Sequence, residues 1–129
     1  MQATSTFAID TWKDDPIDER DGVTLSRAHV FKTFHGDIEG QSTAELLMAN
    51  AQEGSAAYVG FERFTCRIGD RSGTFVLHHS ATMSSAGQSG TWTVVPDSGA
   101  GELQGIRGSG RIDIAPDGTH TLIFDYDLG

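Results

Sequence analysis

The sequence predicts an all-β domain of eight strands, folded as an antiparallel barrel or sandwich. Three observations carry this. Apolar and polar residues alternate in short runs along the chain, turn signals separate the runs, and almost no stretch has helical spacing. Glycine agrees, with 16 among 129 residues, because turns and bulges use its conformational freedom.

The elements follow in order. Residues 2–9 alternate small polar and apolar residues and end in Phe7 and Ile9. Residues 10–23 are acidic and contain Pro16, which reads as a long loop. The second strand, 24–34, has Ala28, Val30 and Phe34 on one face and Leu25, His29 and Phe31 on the other. Lys32 alternates with Val30 and Phe34, so it sits inward near a mouth or snorkels to the surface. The third strand, 41–50, is where helix competes, because residues 44–49 are good helix formers. Its turn-like flanks favour strand. Residues 57–68 form the fourth strand, and Gly69-Asp70-Arg71-Ser72-Gly73 turns the chain into the fifth, 74–84. The sixth, 90–96, carries Trp92, Val94 and Val95. A glycine-dense run from Pro96 to Gly110 leads to a seventh strand near 110–115. Pro116-Asp117-Gly118 then turns into the eighth, 119–128.

Bulk properties bound the function. A net charge of −9 argues against nucleic acid and against anionic membrane surfaces, both of which need lysine and arginine. The single cysteine, Cys66, rules out an internal disulfide and fits a reducing cytoplasm. No signal-like leader and no apolar run of membrane-spanning length is present, so the expectation is a soluble cytoplasmic protein.

Four blocks resemble the bacterial domain-of-unknown-function family 3224. They are Phe34-His35-Gly36-Asp37-Ile38-Glu39-Gly40, Tyr58-Val59-Gly60-Phe61-Glu62-Arg63-Phe64, the stretch from Arg71 to Ser80, and the stretch from Val94 to Gly105. The closing His120, Phe124, Asp125 and Tyr126 also fit, so the resemblance covers nearly the whole chain. It implies one domain over residues 1–129, an eight-stranded antiparallel barrel similar to allene oxide cyclase and the dirigent proteins. Those barrels bind hydrophobic small molecules and steer cyclisation or coupling. The resemblance supplies neither a substrate nor a cofactor. Two departures stand out. Asp97 and Ala100 replace residues of a Pro-Gly-Ser-Gly-Thr-Gly pattern, and Ala81 stands where the family prefers glycine.

Alternation along barrel strands separates inward from outward residues. On the fifth strand Phe75, Leu77, His79, Ala81 and Met83 are the apolar face, which puts His79 inside and His78 outside. On the eighth strand Leu122, Phe124, Tyr126 and Leu128 face inward. His79 is the first candidate, as a proton shuttle, a group that orients a ligand carbonyl, or a satisfied core histidine. Glu62 is either an inward acid or base, or an outward charge with Arg63 inside, because the two faces of the fourth strand are alike. Glu45 is a further carboxylate open to both readings. Tyr58 and Trp92 line a pocket or pack the barrel. Adjacent His78 and His79 point apart and make no metal pair, and the other histidines lack ligand spacing. The glycine run is followed by no helix, so it is no phosphate cradle. Cys66 reads as a small strand residue.

Three functions remain open. A binding barrel would hold a small hydrophobic molecule against Tyr58, Phe75, Leu77, Trp92, Phe124 and Glu45, with His79 and Tyr126 orienting it. An isomerase or cyclase without cofactor or metal would use His79, Glu62 or Tyr126 for proton transfer in the same cavity. A barrel with a filled interior would act through assembly of its outer faces as a homo-oligomer.

Overall fold

A computed structural model describes all 129 residues. The strands are β1 (Gln2–Arg20), β2 (Val23–Gly36), β3 (Ile38–Asn50), β4 (Ala56–Ile68), β5 (Arg71–Ser84), β6 (Gly87–Val94), β7 (Ala100–Gly101), β8 (Arg107–Ile114) and β9 (His120–Asp127). Every pairing is antiparallel. Strands β1 to β6, β8 and β9 close in a ring: β4 pairs with β5, and β9 returns to β1. Short β7 is an extra strand against the start of β5. Closure removes most of the exposed edge that an open sheet of this size would leave. No helix is long and apolar enough to cross a membrane.

The helix-prone stretch at 44–49 is strand, because β2 and β4 take its backbone hydrogen bonds on both sides. The expected loop at 10–23 is a correction. β1 continues through it to Arg20, paired with β2 as far as Val23. Pro16 is tolerated because β1 has no partner on its other side beyond Phe7, and the register shifts between Pro16 and Asp18. Strand β8 also begins earlier than expected, at Arg107.

The two ends of the barrel differ. One end is packed. Phe7, Phe34, Phe64, Phe75 and Phe124 form a girdle around the interior, with neighbouring ring centroids 4.8–5.7 Å apart. The glycine-dense segment folds across this end and pushes Leu103 and Ile106 into the core, both fully buried. It is clamped to β5: Glu102 N–H donates to Ser72 O, and Ser72 N–H donates to Glu102 Oε1. Glycine is required where the plug crosses backbone. A Cβ on Gly73 would lie 2.1 Å from Ala100 O, and one on Gly99 would lie 2.1 Å from Leu103 O. Asp97 adopts the left-handed conformation (φ 62°) that aspartate tolerates better than most residues.

The other end flares. β1 beyond Phe7 is paired only with β2, and β6 meets β8 at Trp92 and Thr93 alone. The ring therefore unzips along a seam between β1 and β6. Small residues, Ala28 and Ala44, line this end beside Val30 and Leu46 and leave volume there.

Candidate functional site

Five consecutive strands each send a polar or aromatic side chain to one band of the inner wall. These are Lys32 from β2, Ser42 from β3, Tyr58 and Glu62 from β4, His79 from β5 and Trp92 from β6. Register sets the band: Lys32 is paired with Ser42, Gly60 with His79, and His79 with Trp92. The ambiguous fourth strand is resolved with Glu62 inside and Arg63 outside.

Glu62 is the hub and is 2% exposed. Lys32 Nζ donates to Glu62 Oε1 at 3.1 Å, and Ser42 Oγ donates to Oε2 at 2.5 Å. His79 Nε2 also lies 3.1 Å from Oε1, but off the line of a good hydrogen bond, so this contact is chiefly electrostatic. Burial by itself pushes the Glu62 carboxyl upward. The His79 ring, the Lys32 charge and the Ser42 hydroxyl outweigh it and hold the group down at about 2. Glu62 is therefore ionised and can only accept. An ionised carboxylate beside Nε2 favours a hydrogen on that nitrogen. Tyr58 Oη sits 3.3 Å from Nδ1, within hydrogen-bond reach. Carboxylate, imidazole and phenol lie side by side, with only the imidazole–phenol contact at hydrogen-bond geometry. Lys32 also lies over the Phe7 ring, 4.9 Å from its centroid, at the border with the packed end.

Above the band is a cavity of about 400 Å³, within the range of small-molecule sites. Its walls are mainly apolar: Ile9 and Trp12 from β1, Val30, Ala44, Leu46, Met83, Ile112 and Ile114. Lys32, Tyr58, His79 and Trp92 form its polar inner end. The Trp92 ring lies flat along β6 because Gly90 leaves it room; a Cβ on Gly90 would meet the ring at 2.8 Å. Burial raises Tyr58 above the usual phenol range, the negative charge of Glu62 adds to this, and the neighbouring Trp92 indole offsets part of it.

The candidate residues separate into groups. His79, Tyr58 and Trp92 line the cavity, and Glu62 lies behind His79 beside a small void that Leu77 also borders. Phe75 and Phe124 are corrections: both are fully buried in the packed end and line neither the cavity nor the small void. Tyr126 faces inward but stacks on Phe124 at that same end, away from His79. Glu45 is a correction too. It points outward and pairs with His29 on the outer wall of β2 and β3. Sequence reasoning left Lys32 and Ser42 out of the site. The signal was present in the alternation of Lys32 with Val30 and Phe34: an inward lysine requires an inward carboxylate. Cys66 is buried, and burial pushes its thiol up to about 12, so it is protonated and inert.

The fold and this band define a closed antiparallel barrel with a packed end, an open end and a buried ion pair between them. Residues 3–126 match the family described as "Protein of unknown function (DUF3224)", and the chain belongs to that family. It is similar to a solved structure of a protein with unknown function from the DUF3224 family of Shewanella oneidensis MR-1. The two share 35% identity with a TM-score of 0.85, over 100% of this chain and 98% of the other. No curated protein matches the chain.

Proposed function

We propose that this protein binds a small, predominantly apolar molecule in the open end of its barrel. The observation that carries this is the cavity of about 400 Å³, walled by apolar side chains and ending on His79, Tyr58 and Trp92. A barrel stabilised only by packing has no need of such a volume, because voids cost stability. Glu62 and Ser42 act behind the wall and Lys32 at its inner end, together holding the carboxylate beside the imidazole that faces the ligand. A ligand-binding interior is also what the resemblance to allene-oxide-cyclase-like barrels implies. A cytoplasmic setting belongs to the same reading, supported by the single buried thiol.

Native mass spectrometry of gently purified protein tests it. The expected result is an adduct of small-molecule mass that is lost in Ala81→Phe, which fills the cavity from β5, and reduced in His79→Ala. A clean apo mass that stays clean after incubation with apolar extracts overturns the reading.

A further inference from the structure

The outer wall of β2 to β5 differs in chemistry from the rest of the surface. Leu25, Phe31, Leu47, Val59 and Phe61 share its outward face, each 37–54% exposed. Register makes them neighbours: Leu47 is paired with Val59, and Phe61 follows two residues along β4 on the same face. At about 150–250 Å² for an aromatic side chain and less for an aliphatic one, the five leave roughly 350–500 Å² of apolar surface open to water. That reaches the size of the largest patch on a typical monomer, about 300–600 Å², which is often functional. It also approaches the apolar share, roughly 65%, of the 800 Å² or so that each partner gives to a stable homodimer. Charge sets the face apart as well. The chain carries a net charge of −9, yet across β2 to β5 the only carboxylates not buried are Glu39 and Glu45. Four exposed arginines outnumber them, and the one lysine of these strands is buried. Aromatic rings and arginine with few carboxylates and no exposed lysine are the composition of an interface. The rings are also set in advance. Phe61 stacks on His78 with centroids 5.3 Å apart, and His29 meets Phe31 edge-on at 4.9 Å, so little freedom remains to be lost on contact.

We propose that a second copy of this chain docks on this face, in a two-fold contact centred on Leu47, Val59 and Phe61. Charge selects a second copy in two ways. Two acidic chains repel, and their approach is least opposed through the wall that holds the fewest carboxylates. The face is also complementary to itself. Arg27 is paired with Leu47, His29 with Glu45 and Thr43 with Arg63, so Glu45 lies on the diagonal between Arg27 and Arg63. A two-fold contact sets one patch against the same patch of the partner and brings arginines of one copy to Glu45 of the other. The contact uses the outside of the barrel and leaves the open end of each copy free.

Sedimentation equilibrium of the full chain over a range of concentrations tests this. The expected result is a species of twice the 13.8 kDa chain mass, dominant by about 50 μM protein, as micromolar association requires. Phe61→Glu and Leu47→Glu each place a carboxylate of both copies in the apolar centre and should weaken the dimer at least about tenfold. Both side chains are exposed in the single chain, so each variant should keep the circular dichroism of the barrel, and either one suffices if the other does not fold. Ser109→Glu adds the same charge on β8, across the ring from β3, and should leave the dimer intact. A monomer at every concentration overturns the proposal and leaves the face to a partner of another kind. A dimer that Phe61→Glu and Leu47→Glu both leave intact overturns the location. Dissociation by Ser109→Glu as readily as by Phe61→Glu overturns it too, because charge placed anywhere would then suffice. Growth beyond the dimer into longer assemblies overturns the two-fold contact, since a patch that faces itself closes at two copies.

Discussion

The packed end and the open end of this barrel are built from the same strands, with the same alternation, and differ in what the inward positions hold. At the packed end those positions carry phenylalanines, and the plug adds Leu103 and Ile106. At the open end they carry alanines, Val30, Leu46 and a band of polar groups. Strand geometry therefore sets the wall, and side-chain volume decides whether the wall encloses a core or a cavity. The boundary is the buried pair of Lys32 and Glu62, where the ammonium lies over the Phe7 ring and both border the cavity.

Phe75→Ala should have the largest effect and test the contrast most directly. It should cost about 3–5 kcal/mol in urea unfolding, because the girdle cannot collapse around the lost ring. Tyr58→Phe at the open end should cost less than about 1.5 kcal/mol, the scale of one hydrogen bond. Equal losses would break the distinction between the ends. Lys32→Met should cost about 3–5 kcal/mol, since Glu62 would remain buried without its cation. Adding Glu62→Leu to it should recover most of that loss, and failure to recover would mean the lysine acts mainly through packing on Phe7.

The plug can be probed by Gly99→Ala, whose Cβ meets Leu103 O; about 1–3 kcal/mol is expected from this overpacking. Acid gives a gentler test of the boundary. Glu62 is held at about 2 in the folded state against 4.5 for an ordinary glutamate, so its contribution is fully present above pH 4.5 and is lost as pH falls toward 2. Glu62→Gln should flatten the stability profile in that window; an unchanged slope would assign acid unfolding to other carboxylates. The smallest expected signal is Cys66 in the native protein, which should react with thiol reagents only as fast as the barrel opens.

The wall was legible in the sequence and the interior only partly so. Alternation on β5 assigned His79 inward and His78 outward, and that pattern is local. Which end each inward residue occupies depends on strand stagger around a closed ring, which no single strand encodes. Phe75, Phe124 and Tyr126 were therefore grouped with His79 although they lie at the other end. The acidic stretch after Ile9 read as loop because proline and aspartate disfavour strands in isolation, whereas pairing with β2 holds it. Glu62 and Lys32 were each ambiguous alone, and the pairing of their charges resolves both.

The unzipped seam has a consequence for colloidal behaviour. From Ala8 to Arg20, β1 offers one row of backbone groups to solvent, a template on which another chain could add a strand. The stretch carries Asp14, Asp15, Asp18 and Glu19, with Pro16 and two register shifts. Like charges repel a second edge, and the proline and bulges spoil its ladder. The composition that made this segment look like a loop is what guards a long open-edged strand against pairing with a second chain.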